Sequence, residues 1–204
     1  MKLYATVAAG AVVAMVVGLG AYVMLAGNGD DQFAQCSQAT TAGGDIGGPF
    51  ELVSEDGTTV TDEDILTKPT LVYFGYTYCP DVCPLDAARN AEAVDQLIGG
   101  GYDVQPVFIS IDPNRDTPEV LTEFTDVMHP DMIGLTGSPE QVQAASQAYR
   151  TYYKRQPGED DYYLVDHSTL TYLMLPEHGF VDFFRRDATA PQIAETVACY
   201  VNAS

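Results

Sequence analysis

The chain has 204 residues, with 29 Asp and Glu against 9 Lys and Arg, a formal net charge of −20. That length accommodates one domain with a full core plus an additional segment. The charge excludes a nucleic-acid partner, because phosphate contacts need clustered Lys and Arg; it reads as solubility or a salty habitat rather than acidic recognition.

The additional segment comes first. Lys2 is the only charged residue before Asp30, and Val7 to Ala26 is dominated by Val, Ala, Met, Leu and Gly. A helix of about 20 such residues spans a hydrocarbon core of roughly 30 Å. The apolar part of a cleaved signal peptide runs only about 7–15 residues. Residues 1–29 are therefore expected to be an uncleaved single-pass membrane anchor. Lys2 and the amino terminus stay on the cytoplasmic side and send the remainder outward. The stretch Leu25–Asn28 resembles a lipoprotein signal, but Asn28 stands where the lipidated cysteine belongs. With no Arg-rich presequence, the expected address is a bacterial inner membrane with the soluble domain in the periplasm. Thiols there meet an oxidising compartment.

Residues 30–47, rich in Gly, Thr, Ala and Gln, read as a linker, and residues 48–204 as the domain. Pro49 to Asp64 suggests a hairpin turning at Glu55-Asp56-Gly57. Thr70–Tyr76, "TLVYFGY", is a buried strand. Leu85, Ala88, Ala91, Val94 and Ile98 then recur at helical spacing until Gly99-Gly100-Gly101 stops them. "VQPVFISID" is a second buried strand. Thr117 caps a helix with Pro118 and Glu119 in its first turn. "MIGL" is a short strand, and Ser138-Pro139-Glu140-Gln141 opens another helix with capping-box spacing. "TLTYLML" and "FVDFF" form a hairpin around Pro176–Gly179, and Ala190–Asn202 is a closing helix with Ile193, Val197 and Tyr200 on one face. This order is an α/β layer fold with parallel central strands. It fits a thioredoxin-like fold with an N-terminal hairpin and an inserted strand–helix unit.

The chemistry concentrates at "YFGYTYCPDVCPLD", where Cys79 and Cys83 are each followed by proline. The ring of Pro84 would clash with the carbonyl of Pro80 inside a helix, so the helix is expected to begin at Pro84 with Cys83 at the cap. "CPDVC" then forms an exposed loop at the C-terminal end of the first strand, where open α/β sheets bind ligands. A helix N-terminus favours thiolate, so both cysteines are expected to be reactive. A fixed disulfide, a redox-active pair and a metal clamp all remain open. A metal needs further ligands, which turns attention to the histidines. His129 lies at a helix end and His178 in a hairpin turn. His167 lies in the loop before "TLTYLML", where thioredoxin-like folds usually present a cis-proline to the active-site cysteines. Two thiolates and an imidazole suit Cu(I) and Cu(II), and zinc fits an open three-ligand site as well.

The stretches "YFGYTYCPDVCP", "FISIDPNRDTPEVL" and "DYYLVDHSTLTYLMLP" together resemble the signature segments of the Sco/SenC copper proteins, over roughly Gly48 to Val201. The resemblance implies that Cys79, Cys83 and His167 ligate one copper per chain. It also implies delivery of copper to the binuclear copper site of cytochrome c oxidase subunit II, or reduction of that site's cysteines beforehand. A delivery role needs an upstream periplasmic copper donor. Asp112, Arg115 and Asp116 match family positions as structural or partner-facing residues, and Asp166 is expected to orient His167. A pure thiol–disulfide reductase has no need of His167, and a peroxidase would need a cation that the loop lacks. Cys36 and Cys199 lie outside the resemblance. As leftover thiols in an oxidising compartment they are expected to pair as a structural disulfide.

Overall fold

Two buried, continuously apolar segments, β3 (Thr70–Gly75) and β4 (Gln105–Ser110), run parallel at the centre of a seven-stranded sheet. Strands buried on both faces carry no alternation, which is why both read as unbroken hydrophobic runs. The structure is a computed structural model that describes residues 15, 18, 32–36, 46–159 and 162–204. The chain divides into two compact units, Met1–Gln35 and Cys36–Ser204. The expected anchor lies outside the described residues except for Met15 and Gly18, as does most of the expected linker. Among the described residues no helix is long and apolar enough to cross a membrane.

β1 (Glu51–Ser54) and β2 (Thr59–Thr61) form the expected hairpin, followed by a single helical turn, α1 (Asp62–Ile65), closed by a Thr61–Asp64 capping box. After β3 come α2 (Val82–Gly99), β4, α3 (Pro118–Met128), β5 (Ile133–Thr136) and α4 (Pro139–Ala148). Thr117 and Ser138 cap α3 and α4 through their hydroxyls, as their sequences specify. β6 (Tyr153–Arg155) and β7 (Val165–His167) make a separate two-stranded sheet. β8 (Thr171–Leu175), β9 (Gly179–Phe184) and α5 (Ala190–Ala203) complete the domain. The sheet order is β2-β1-β5-β4-β3-β8-β9, with β5 parallel to β4 and β8 antiparallel to β3. This is a thioredoxin-like arrangement with one additional strand–helix unit between β4 and β8, as expected.

Two expectations need correction. Of the expected α2 stripe, Ala91 and Val94 are buried but Leu85 (60%), Ala88 and Ile98 (44%) are exposed, and the inner face is completed instead by Cys83, Ala87, Asn90 and Leu97. α2 also packs against α5, whose Ile193, Val197 and Tyr200 are buried as expected. His167 is not in a loop but ends β7, paired opposite Tyr153. The β6–β7 pair is short and polar, so it carries no alternation that a sequence pattern detects.

Cys36 and Cys199 are joined in a disulfide with Cα atoms 5.5 Å apart, tying Cys36 to α5.

Candidate metal centre

β3 delivers the chain to the site and α2 carries it away. Tyr76, just after β3, is buried; its carbonyl accepts the Cys79 N–H at 3.3 Å, which folds the loop back. The helix starts one residue before Cys83 rather than after it: Asp81 is the cap, Val82 the first helical residue, and Pro84 the third. The first four amides of a helix have no intrahelical partner, so proline costs nothing there. Pro80 is not helical, and the clash does not arise. Cys83 is consequently fully buried in the first turn, and Cys79 is 8% exposed, so the thiols are not on an open loop even though Pro80 and Asp81 are exposed. The Cys79 sulfur accepts the unpartnered N–H of Cys83 at 3.4 Å, which makes the first thiol a cap for the helix holding the second.

His167 comes to the same point from β7. Its Nε2 is 3.3 Å from Cys83 Sγ, and the Cys79, Cys83 and His167 donor atoms all lie within 4.8 Å of one another. Its Nδ1 is 2.7 Å from the carbonyl of Ser168. A carbonyl only accepts, so Nδ1 carries the proton and Nε2 presents a lone pair to the sulfurs. Ser168 thus performs the orienting role expected of Asp166, which is exposed and accepts instead from Gln156. Tyr73 and Tyr76 stand nearly perpendicular to the imidazole, at 84° and 85°, with centroids 6.4 and 5.8 Å away. The Tyr76 hydroxyl accepts the Val165 N–H at 3.3 Å, fastening β7 to the end of β3. No motif singled out these two tyrosines, since both read simply as strand aromatics.

The electrostatics are asymmetric. The Cys79 thiol is held well below the usual value, to about 3, chiefly by the hydrogen bond from Cys83 and further by the Asp81 and Cys83 backbones, against the cost of burial. The Cys83 thiol is pushed up, first by its bond to Cys79 and then by burial. The helix N-terminus does not activate both sulfurs alike; one proton is retained between them, and it stays on the more deeply buried one. Below Cys83, the Tyr73 hydroxyl donates to buried Asp86 at 3.1 Å, and Arg89 and Arg186 flank that carboxylate at 3.5 and 3.4 Å.

The donor set fits a soft metal ion. Bonds of about 2.0 Å to nitrogen and 2.3 Å to sulfur, meeting at trigonal angles, separate the donors by roughly 3.7–4.0 Å. The observed spacings bracket that separation, so a small opening of the Cys83–His167 pair admits an ion. Cys79 and Cys83 are free thiols, the state in which they act as ligands. His129 and His178 are elsewhere. Buried His129 accepts the Asp131 N–H and approaches Asp95 at 3.3 Å, while His178 is exposed at the β8–β9 turn.

The SCO1/SenC family profile matches residues 38–202. Protein SenC of Rhodobacter capsulatus is 60% identical over 201 residues, covering 98% of this chain and 90% of that protein. The mitochondrial SCO1 homolog 1 of Arabidopsis thaliana is 45% identical over 153 residues, 74% of this chain and 46% of that longer relative. The crystal structure of Arabidopsis thaliana ScoI with copper bound superposes with a TM-score of 0.73 at 43% identity, covering 77% of this chain and 99% of that one.

Proposed function

The chain belongs to the SCO1/SenC family, which handles copper for cytochrome c oxidase assembly, and on that premise we propose that it is a copper metallochaperone. Its recipient is the binuclear copper site of cytochrome c oxidase subunit II, and its cargo is one copper per chain, held by Cys79, Cys83 and His167. The observation that carries this reading is the convergence of two reduced sulfurs and one imidazole nitrogen whose lone pair faces them. Thiolates favour Cu(I), and the nitrogen extends the site to Cu(II). Cys79 is already ionised and makes the first bond. Cys83 gives up its proton on loading, so its raised value sets a cost that copper must overcome. Three protein ligands leave a coordination position through which a recipient thiolate enters before this chain's ligands leave. Residues 1–29 hold the domain at the periplasmic face of the inner membrane, within reach of a periplasmic copper donor and of the recipient.

A second reading, a thiol–disulfide reductase that keeps the recipient's cysteines reduced, rests on the same asymmetry. The Cys79 thiolate attacks the recipient disulfide, and the Cys83 thiol resolves the mixed disulfide, leaving this chain oxidised by two electrons. The two readings separate in one experiment. Copper-loaded chain is mixed with the pre-reduced, copper-free soluble domain of subunit II, and copper is counted in each after separation. Copper moving to the recipient supports the chaperone. Copper remaining on the chain, with oxidised recipient regaining copper uptake after exposure to the reduced chain, supports the reductase.

A further inference from the structure

We propose that the segment Asp112–Asp116 is a clasp that positions the metal ligands, one arm fixing the cysteine loop and the other fixing His167. The inference rests on the reading of Cys79, Cys83 and His167 as copper ligands.

The segment leaves the end of β4 as a tight turn, with the Arg115 and Asp116 amides donating to the Asp112 carbonyl at 3.1 and 3.0 Å. Asp116 forms the first arm. It is fully buried, and its carboxylate accepts the Thr77 N–H at 3.0 Å, the Thr77 hydroxyl at 2.6 Å and the Ser110 hydroxyl at 2.6 Å. A buried carboxylate is costly unless its hydrogen bonds are met, and here they are met by the residue two positions before Cys79. The Thr136 hydroxyl donates to the Asp116 carbonyl at 2.9 Å and anchors the arm to β5.

The second arm is Asp112 with Arg115. Buried Asp112 accepts Arg115 Nε at 2.6 Å and the Tyr163 hydroxyl. The Arg115 guanidinium lies 3.6 Å from the centroid of the Tyr163 ring, 4.8 Å from that of Tyr78 and 5.8 Å from that of Tyr76. One of its terminal nitrogens is buried without a hydrogen-bond partner, so ring faces rather than a full set of acceptors hold it in place. Arg155 of β6 covers Tyr163 at 3.8 Å. Tyr76 leads on to the His167 ring and the Val165 amide, and Tyr163 lies two residues before Val165 in the chain. Arg115 thus acts on His167 through two tyrosines while touching no ligand atom, which makes it a positioning residue.

The test is a coupling experiment on the reduced, full chain. Cu(II) and Cu(I) affinities are measured by chelator competition, with the Cu(II) absorption and paramagnetic resonance spectra recorded, for Arg115→Met and Tyr163→Phe in the His167 and His167→Ala backgrounds. Arg115→Met should weaken Cu(II) on the order of tenfold, the usual scale for losing support of a metal ligand, shift the spectrum, and leave Cu(I) nearly unchanged. In the His167→Ala background it should add almost nothing, because the two residues lie on one route. Asp116→Asn should weaken both oxidation states by a common factor in both backgrounds, since it acts on Cys79. If circular dichroism shows that Arg115→Met does not fold, Tyr163→Phe, which removes one hydroxyl, decides alone. Equal losses in the two backgrounds, or a normal His167→Ala loss with unchanged Arg115→Met and Tyr163→Phe, overturns the clasp. Unchanged Cu(II) binding in His167→Ala overturns the ligand reading itself, and the second arm with it.

Discussion

Removing the Cys36–Cys199 bridge should destabilise the domain by a calculable amount without touching the metal site. The bridge spans a sequence separation of 163. Chain-entropy models give about 5 kcal/mol for closing a loop of that length in the unfolded chain. That figure is an upper bound, because the bridge also restrains Cys36 in the folded state and so removes entropy there too. For a domain of this size each 1 kcal/mol moves the midpoint by about 2–4 °C, so the double variant Cys36→Ser/Cys199→Ser should melt up to roughly 10–20 °C below the oxidised parent. The assay is thermal unfolding by circular dichroism without reductant, with non-reducing peptide mapping of the parent to show the linked pair. Adding reductant should lower the parent's midpoint to that of the variant and leave the variant's where it is. A variant midpoint within about 3 °C of the parent's, equivalent to about 1 kcal/mol or less, would refute the reasoning.

Three further outcomes follow from the same geometry. Reduced protein at neutral pH should show one thiolate by ultraviolet absorbance, lost in Cys79→Ser and retained in Cys83→Ser. The Cys79 contribution to stability is complete above the ordinary thiol value of 9.0 and declines as pH falls toward about 3, so titration of that absorbance with a midpoint near 9.0 contradicts the assignment. Gly75→Ala should cost about 1–3 kcal/mol by overpacking, because a Cβ there would sit 2.8 Å from the Tyr73 ring and 2.9 Å from Phe108; an unchanged melting temperature contradicts it. Protease added to spheroplasts should release a soluble domain of nearly full size, and protection of that domain, or a mature chain starting near Asn28, defeats the anchored periplasmic placement.

The parts of this molecule legible in sequence are those where one physical rule acts alone. β3 and β4 are apolar runs between turn residues, and Thr117 and Ser138 are caps whose hydroxyls accept the Val120 and Gln141 amides. The start of α2 departs from the sequence expectation because proline does not mark the first helical position alone: any early amide left unpaired by the helix tolerates it. Its buried face departs in part for a different reason. Asp86 and Asn90 are polar yet interior, satisfied by the Tyr73 hydroxyl, the arginines and the Thr171 hydroxyl, and a search for apolar periodicity passes over them. His167 was found because the cysteine pair demanded a partner. Tyr73 and Tyr76 hold it through contacts between segments far apart in the chain, which no local pattern announces, and Ser168, its neighbour, holds it through a backbone carbonyl that any residue type would offer.

The most direct test of the central claim is copper stoichiometry on fully reduced protein, wild type against His167→Ala, measured separately for Cu(I) and Cu(II). The donor set predicts one copper per wild-type chain in either state. His167→Ala should keep Cu(I) on the two thiolates and lose most of its affinity for Cu(II). Undiminished Cu(II) binding by His167→Ala would remove His167 from the site and contradict the account.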